Sequence, residues 1–531
     1  MNWKTTLLVV LSATPVLAVV RPCAADPAAQ TDARRSAAHR PRRILLNNDG
    51  DDVRWPEAAT PEGFLSRRTT PFIGTQLDAI FYCTHYSFNE CTHNTAVGEI
   101  AEAKPPRVPV LHARTLIKQG RDNLQIISDF CHANRMEAWW SMRMNDVHDG
   151  KIPEFRSQFK KDHPDWLLGT DGDFTADMIG EARWWSGADY ARADVRERAF
   201  ELIAEVCRNY DLDGVELDFF RHPIFFKPNR LGLPAEPQHV EMMTDFLRRV
   251  HAMTVEVNQR RKQPVLIAVR VPETISICNH MGFDIETWVK EKLVDVIVAG
   301  GYFHLMPWKE MIELGHAQDI PVYPCVSASR LRERVARQLD RELLLWRGEA
   351  LNIWEAGADG VYTFNFFDQG PAAYHELGDP DKLRQLPRVY APSSGTIDKF
   401  LGAKVRLQYG HLPLKVTPGQ PRTAGLQVNE TLPDTSEVRL TLRLRLSEFE
   451  QPDRIEVAVN GVPMHGLAVS PLSGRALSAA DNFEVPGTWI ECSAEPATFR
   501  PGRNEVTVSC VQRENDDSLV FQSVQLEVSP R

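Results

Sequence analysis

The feature that most constrains the fold is a rhythm between residues 41 and about 385. Short β-branched or aromatic runs alternate there with longer amphipathic stretches. A chain that switches repeatedly between a two-residue and a 3.6-residue apolar period builds parallel strands joined by crossover helices. The strand-like runs are RRILLNN (42–48), LDAIFYCT (77–84), RMEAWWSMR (135–143), DGVELDF (213–219), VLIAVRV (265–271), LVDVIVAGG (293–301), PVYPCV (321–326) and DGVYTFNFF (359–367). Between most of them lie helical patterns such as VRERAFELIAEVCRNY and VEMMTDFLRRVHAMTVEVNQRR. Eight strands with interposed helices predict an α/β fold, a (β/α)8 TIM barrel with enlarged loops, over residues 41–390.

After the link LPRVYAPSSGTIDKF the helical period stops. VRLTLRLRL (438–446), RIEVAVNGVPM with an Asn460-Gly461 turn, NEVTVSCV and LVFQSVQLEV all alternate strictly. This predicts a C-terminal antiparallel β-sandwich over residues 400–531. Two roles are open for it, carbohydrate binding or simple packing.

The N-terminus has a charged start, an apolar run to about Val20 and a small-residue exit, RPCAAD. We expect a secretory signal over residues 1–25 and therefore an exported, periplasmic or extracellular protein. Pro15 interrupts the run, which falls short of the roughly 20 apolar residues of a membrane span. Residues 26–40 are small and polar and predict a flexible leader. Export permits disulfides, and Cys83 with Cys91 and Cys492 with Cys510 are close enough in sequence to be candidates. The formal net charge of −10 argues against a nucleic-acid binder. The chain has no CxxC cluster and no HExxH helix, and NNDGDD (47–52) lacks calcium-loop spacing, so we expect no cofactor and no metal.

The chemistry concentrates in DLDGVELDFFRHP (211–223). Val215, Leu217 and Phe219 form the apolar phase of a strand, which leaves Glu216 and Asp218 on the other. In a barrel the first phase meets the helices and the second points inward, with the carboxyl end of each strand opening into the active-site mouth. Asp218 is thus expected in the mouth pocket and Glu216 one layer below, where it either pairs with an inward arginine or acts directly. Other strand ends carry polar residues too. Arg143, Asn145, Asp146 and His148 follow the third strand, Arg221 and His222 the fourth, Arg270 and Glu273 the fifth, Tyr302 and His304 the sixth, and Asn365 and Asp368 the eighth. Trp140, with Trp139, Trp184 and Trp185, offers flat surface for stacking on sugar rings, or core. Arg143, Arg221 and Arg270 either contact an acidic sugar or neutralise Glu216, Asp218 and Asp146. The histidines would donate to sugar hydroxyls.

The segment HPDWLL…DYARADVRERAFELIAEVCRNYDLDGVELDFFRHP resembles glycosyl-hydrolase-like family ten, a group of glycoside-hydrolase-like (β/α)8 barrels. The matching positions are Asp189, Val195, Arg196, Tyr210, Asp211, Asp213, Gly214 and Asp218, and GFDIETWVKEKLVDVIV (282–298) is similar to the segment entering that family's sixth strand. The resemblance covers about residues 41–385. Family-eighteen chitinases share acids matching Asp213, Glu216 and Asp218, but their catalytic Glu falls on Phe220. The α-amylase group has a nucleophilic Asp and a later His matching Asp218 and His222, with Glu216 where its Arg would stand. These resemblances imply a glycoside hydrolase acting on a polysaccharide.

Glycosidic cleavage uses one carboxyl as acid and another as base or nucleophile. Asp218 is the expected nucleophile or base, Glu273 the expected acid, with Asp146 and Asp368 as stand-ins, and Glu216 tunes either. Two other readings stay open: an inactive glycan-binding barrel, and a polysaccharide lyase built on Tyr302, His304 and Arg270.

Overall fold

The computed structural model describes residues 27–175, 182–261, 263–300, 308–327, 342–367, 370–392, 412–450, 452–471, 488–514 and 518–531. The expected signal (1–25), Tyr302, His304 and Asp368 lie outside the described residues.

Eight parallel strands close a barrel in chain order: β1 (Ile44–Asn48), β2 (Leu77–Cys83), β3 (Glu137–Arg143), β4 (Gly214–Asp218), β5 (Leu266–Val271), β6 (Val296–Ala299), β7 (Val322–Ser327) and β8 (Val361–Phe364), with β8 returning to β1. Each coincides with one of the eight runs read from the sequence. The helices form for the reason their period suggests: in Ala193–Asn209, Val195, Ala199, Leu202, Ile203 and Val206 make one buried stripe.

Strand alternation separates two cores. Val215 and Leu217 of β4, with Phe219 just after it, join Ile267 and Val269 of β5 beneath the helices. Leu45, Phe81, Trp139, Ala268, Val298, Tyr323 and Tyr362 fill the barrel itself. Register stacks the inward polar residues in layers. Glu216 lies beside Ser141 and Ala268, and Asp218 one step up lies beside Arg143 and Arg270. A one-residue slip of β4 would bury its acids against helices and turn its apolar phase inward, so the apolar pattern itself specifies the register.

Residues 26–40 differ from the expected flexible leader, being helical over Pro27–Ala38. Alanine, glutamine and arginine are good helix formers, and tertiary contacts hold the segment at the amino end of the barrel. Arg34 donates to both carboxylate oxygens of Asp295 at 2.7 and 2.6 Å, and Ala38 packs in the barrel core. Just beyond, Arg42 grips Glu137 at the start of β3.

The C-terminal region is a two-sheet antiparallel sandwich. One sheet runs in the order Arg388–Tyr390, Leu519–Pro530, Val438–Ser447, Thr488–Ala494 and Ala468–Pro471; the other contains Arg422–Val428, Gly502–Gln512, Arg454–Val459 and Val462–Pro463. Val438, Leu440, Leu442, Leu444 and Leu446 all face its core. Val459 pairs with Val462 across Asn460-Gly461, both with positive φ, the geometry of a two-residue hairpin. Arg388–Tyr390 pairs with Leu526–Val528 and so belongs to this sheet. Neither candidate cysteine pair is bonded: Cys83, Cys91, Cys492 and Cys510 are free, buried thiols. Among the described residues no helix is long and apolar enough to cross a membrane.

Candidate active site at the carboxyl end of the barrel

The mouth is organised by a residue the strand-end survey passed over, Asp49. It follows β1 and precedes Gly50, whose φ is +79° and where an added Cβ would lie 1.8 Å from the Cys83 carbonyl oxygen. Only glycine fits that approach. The turn aims the Asp49 carboxylate across the mouth. Arg143 Nη2 donates to its Oδ1 at 2.5 Å, and Arg221 Nη2 and Asn365 Nδ2 donate to Oδ2 at 3.2 and 2.9 Å. The Asn365 side-chain oxygen Oδ1 accepts from the Asp49 backbone N–H at 3.0 Å, and Asn365 itself is left-handed, φ 49°. Local strain of this kind marks positions that the surroundings over-determine. Burial alone would raise the Asp49 pKa, but the Arg143 and Arg221 guanidiniums hold it far below the usual carboxylate range.

Arg143 also donates to Asp146 Oδ2 at 2.9 Å and lies over the Tyr86 ring, 4.9 Å from its centroid. Asp146 Oδ1 is 2.6 Å from His148 Nδ1, and His148 Nε2 is 3.4 Å from Arg221 Nη2. Burial opposes the charge on Asp146, but His148 and Arg143 outweigh it and keep the group ionised. Asp146 therefore does not fit the stand-in acid role. Asp49, Tyr86, Arg143, Asp146, His148 and Arg221 together face a cavity of about 120 Å³. Its walls carry five carboxylates (Asp49, Asp51, Glu90, Glu102, Asp146) against four basic residues (Arg54, Lys104, Arg143, Arg221). The arginines are thus spent on neighbouring acids, which favours the neutralising role over capture of an acidic sugar.

Asp218 and Glu216 both point into the barrel. Arg270 grips Asp218 through Nε to Oδ1 at 2.9 Å and Nη2 to Oδ2 at 2.6 Å, while the Phe220 and Arg221 amides donate to Oδ1 at 3.0 and 2.9 Å. Asp218 is only 1% exposed and is not part of the cavity wall, which departs from the expected placement in the mouth pocket. The cause is Arg270, which draws the carboxylate down into its own layer. Below it Glu216 accepts from Asn47 Nδ2 at 2.9 Å, Ser141 Oγ at 2.5 Å and Tyr362 Oη at 2.6 Å. Burial, reinforced by the Asp218 charge, pushes Glu216 up to about 7.

The remaining expected residues divide. Glu273 is buried just beyond β5. His222 is buried with its ring 4.8 Å from that of His148. Trp140 is not at the mouth: it shares the outward phase of β3, donates to Thr84 and packs in the outer core. Asn145 is consumed in bracing loops, its side chain bonded to Ala188 and to the Ile224 carbonyl. Asp146, His148 and His222 bring possible ligand atoms within 4.8 Å of one another. Any ion there would compete with the Asp146–His148 hydrogen bond and lie beside the Arg143 and Arg221 guanidiniums.

No family model matches the sequence, and no curated protein matches it. Among solved structures, the chain is similar to the glycoside hydrolase domain of PgaB (BpsB) from Bordetella bronchiseptica, with 12% or lower identity throughout: here 10%, TM-score 0.41, covering 64% of this chain and 98% of that one. It is similar to α-L-fucosidase isoenzyme 2 from Paenibacillus thiaminolyticus (12% identity, TM-score 0.39, 64% of this chain and 48% of that one). It is also similar to a cycloisomaltooligosaccharide glucanotransferase from Paenibacillus sp. (10% identity, TM-score 0.35, 92% of this chain and 57% of that one). The chain spans about half the length of the last two. At such scores these likenesses add nothing to what the strand order itself shows.

Proposed function

We propose that the protein is an exported glycoside hydrolase that cleaves a polysaccharide at the carboxyl end of its barrel. The observation that carries this reading is the pair of acids on alternate residues of β4. Asp218 is clamped in the form of an ion pair by Arg270, while Glu216 beneath it is pushed to about 7. Environments that treat two neighbouring carboxyls so differently are a mark of acid and base roles. Asp218 Oδ1 accepts three hydrogen bonds and Oδ2 one. A carboxylate oxygen has two lone pairs, so by count Oδ2 keeps one acceptor site. In this reading Asp218 is nucleophile or base, Glu273 the acid, and Glu216 sets the local charge.

The test is product analysis of the purified protein on neutral and anionic polysaccharides. New reducing ends, lost in Asp218→Asn without loss of glycan binding, support the hydrolase. Products with an ultraviolet-absorbing double bond would select a lyase, and binding without turnover an inactive barrel.

A further inference from the structure

His148 is the one imidazole that faces the mouth cavity, among the described residues. The groups around it determine its tautomer. Asp146, ionised and buried, stands 2.6 Å from Nδ1 and can only accept, so Nδ1 carries the proton. Arg221 Nη2, which can only donate, stands 3.4 Å from Nε2. In the neutral imidazole Nε2 is then the bare nitrogen. His222 meets the ring edge-on, Arg143 sits on the far oxygen of Asp146, and Asp49 holds Arg221 from the other side. A buried carboxylate that orients an imidazole, with the outer nitrogen held only by a long 3.4 Å contact from Arg221 that a water can replace, is the working part of a general base.

Arg221 joins this group to Asp218. Its backbone amide donates to Asp218 Oδ1 while its side chain reaches His148. Both residues thus lie within the span of one side chain.

We propose that His148 is a catalytic base of the mouth, with Asp146 its positioning residue. The inference rests on the hydrolase reading with Asp218 as nucleophile. After a glycosyl group has bonded to Asp218, His148 Nε2 takes a proton from water as the water oxygen bonds to the anomeric carbon. The bond from that carbon to the Asp218 oxygen breaks, and its electron pair stays on the carboxylate, which Arg270 again holds. The proton on His148 leaves to solvent, and Glu273, which protonated the departing sugar in the first half, regains one.

The experiment uses a panel of aryl glycosides with activated leaving groups, for which the first half-reaction needs little acid assistance, and measures phenol release by the full chain. In His148→Ala the initial burst of phenol should persist while steady-state release falls roughly 10²-fold to 10⁴-fold. Azide, a nucleophile that needs no base, should restore the rate and yield a glycosyl azide. Asp146→Asn should lower kcat with little change in KM and shift the acidic limb of the pH profile, which a residue that only braces the loop would not do. Turnover by the wild type with His148→Ala unimpaired, or impaired without azide rescue, overturns the base assignment and leaves the hydrolase standing. No phenol release by the wild type on any member of the panel overturns the hydrolase reading, and the base with it.

Discussion

Two buried arginine–carboxylate pairs invite comparison. Arg270 with Asp218 sits inside the barrel beneath its mouth, and Arg388 with Glu430 sits where the barrel passes into the sandwich; both guanidiniums are 0% exposed and both pairs are bidentate. At the junction both carboxylate oxygens face Arg388, Tyr390 adds its hydroxyl, and Arg388 also donates to the Arg384 and Leu386 carbonyls. At the mouth one oxygen of Asp218 carries three bonds and the other a single bond, over a carboxyl displaced to about 7. In both pairs one carboxylate oxygen accepts only its arginine's bond, and what sets Asp218 apart is the displaced Glu216 beneath it. An ion pair standing alone suits a structural joint; one stacked on a perturbed acid suits chemistry.

The largest expected effect is at the mouth. Asp218→Asn should lower turnover per folded molecule by roughly 10³-fold, about 4 kcal/mol of barrel-mouth stabilisation of the transition state, measured by reducing-end release at matched folded fraction. Near-normal turnover would break the contrast. Glu430→Gln should do the opposite, costing about 3 kcal/mol of unfolding free energy because it leaves a buried guanidinium uncompensated, with turnover per folded molecule unchanged. Urea denaturation with parallel activity measurements separates the two.

Gly50→Ala comes next, at about 2 kcal/mol, since a side chain there meets both a positive φ and the Cys83 carbonyl. It should lower activity as well as stability, because the turn aims Asp49. Loss of stability with full activity would show that Asp49 does not organise the mouth.

The smallest effect is the pH dependence from Glu216. Its folded pKa of about 7 lies above the ordinary 4.5, so the folded state binds more protons than the unfolded chain between those values. Its contribution to stability is full below about 4.5 and is lost as pH rises through about 7. Glu216→Gln should flatten that part of the stability profile by on the order of 1 kcal/mol, read from melts at pH 4.5, 6 and 7.5. An unchanged slope would remove the perturbed acid from the comparison.

Much of this was legible in the chain. Each barrel strand was a short run whose side-chain period is two, and β4 announced its inward acids because Val215, Leu217 and Phe219 claimed the other phase. Strand ends pointed to Arg143, Asp146, His148, Arg221, Arg270 and Asn365, all of which the structure places in or beside one polar network. The stacking role expected of Trp140 fails by phase: it stands three residues before Arg143, an odd number, and so faces the helices. Asp49 was passed over because NNDGDD was weighed only as a calcium loop. Its position one residue past β1 was the same signal used at the other strand ends.

Local pattern by itself determined the eight-stranded barrel, the sandwich and the inward direction of Glu216 and Asp218, because burial of an apolar phase needs only neighbours in sequence to be recognised. Pairing did not follow from it. That Arg270 takes both oxygens of Asp218, that Asp49 binds Arg143 and Arg221, and that Asp146 meets His148 beside them depend on groups up to 172 residues apart. Which charges meet is decided only when strands close into a barrel, since electrostatic partnership depends on distance and desolvation in three dimensions and leaves no period in the sequence.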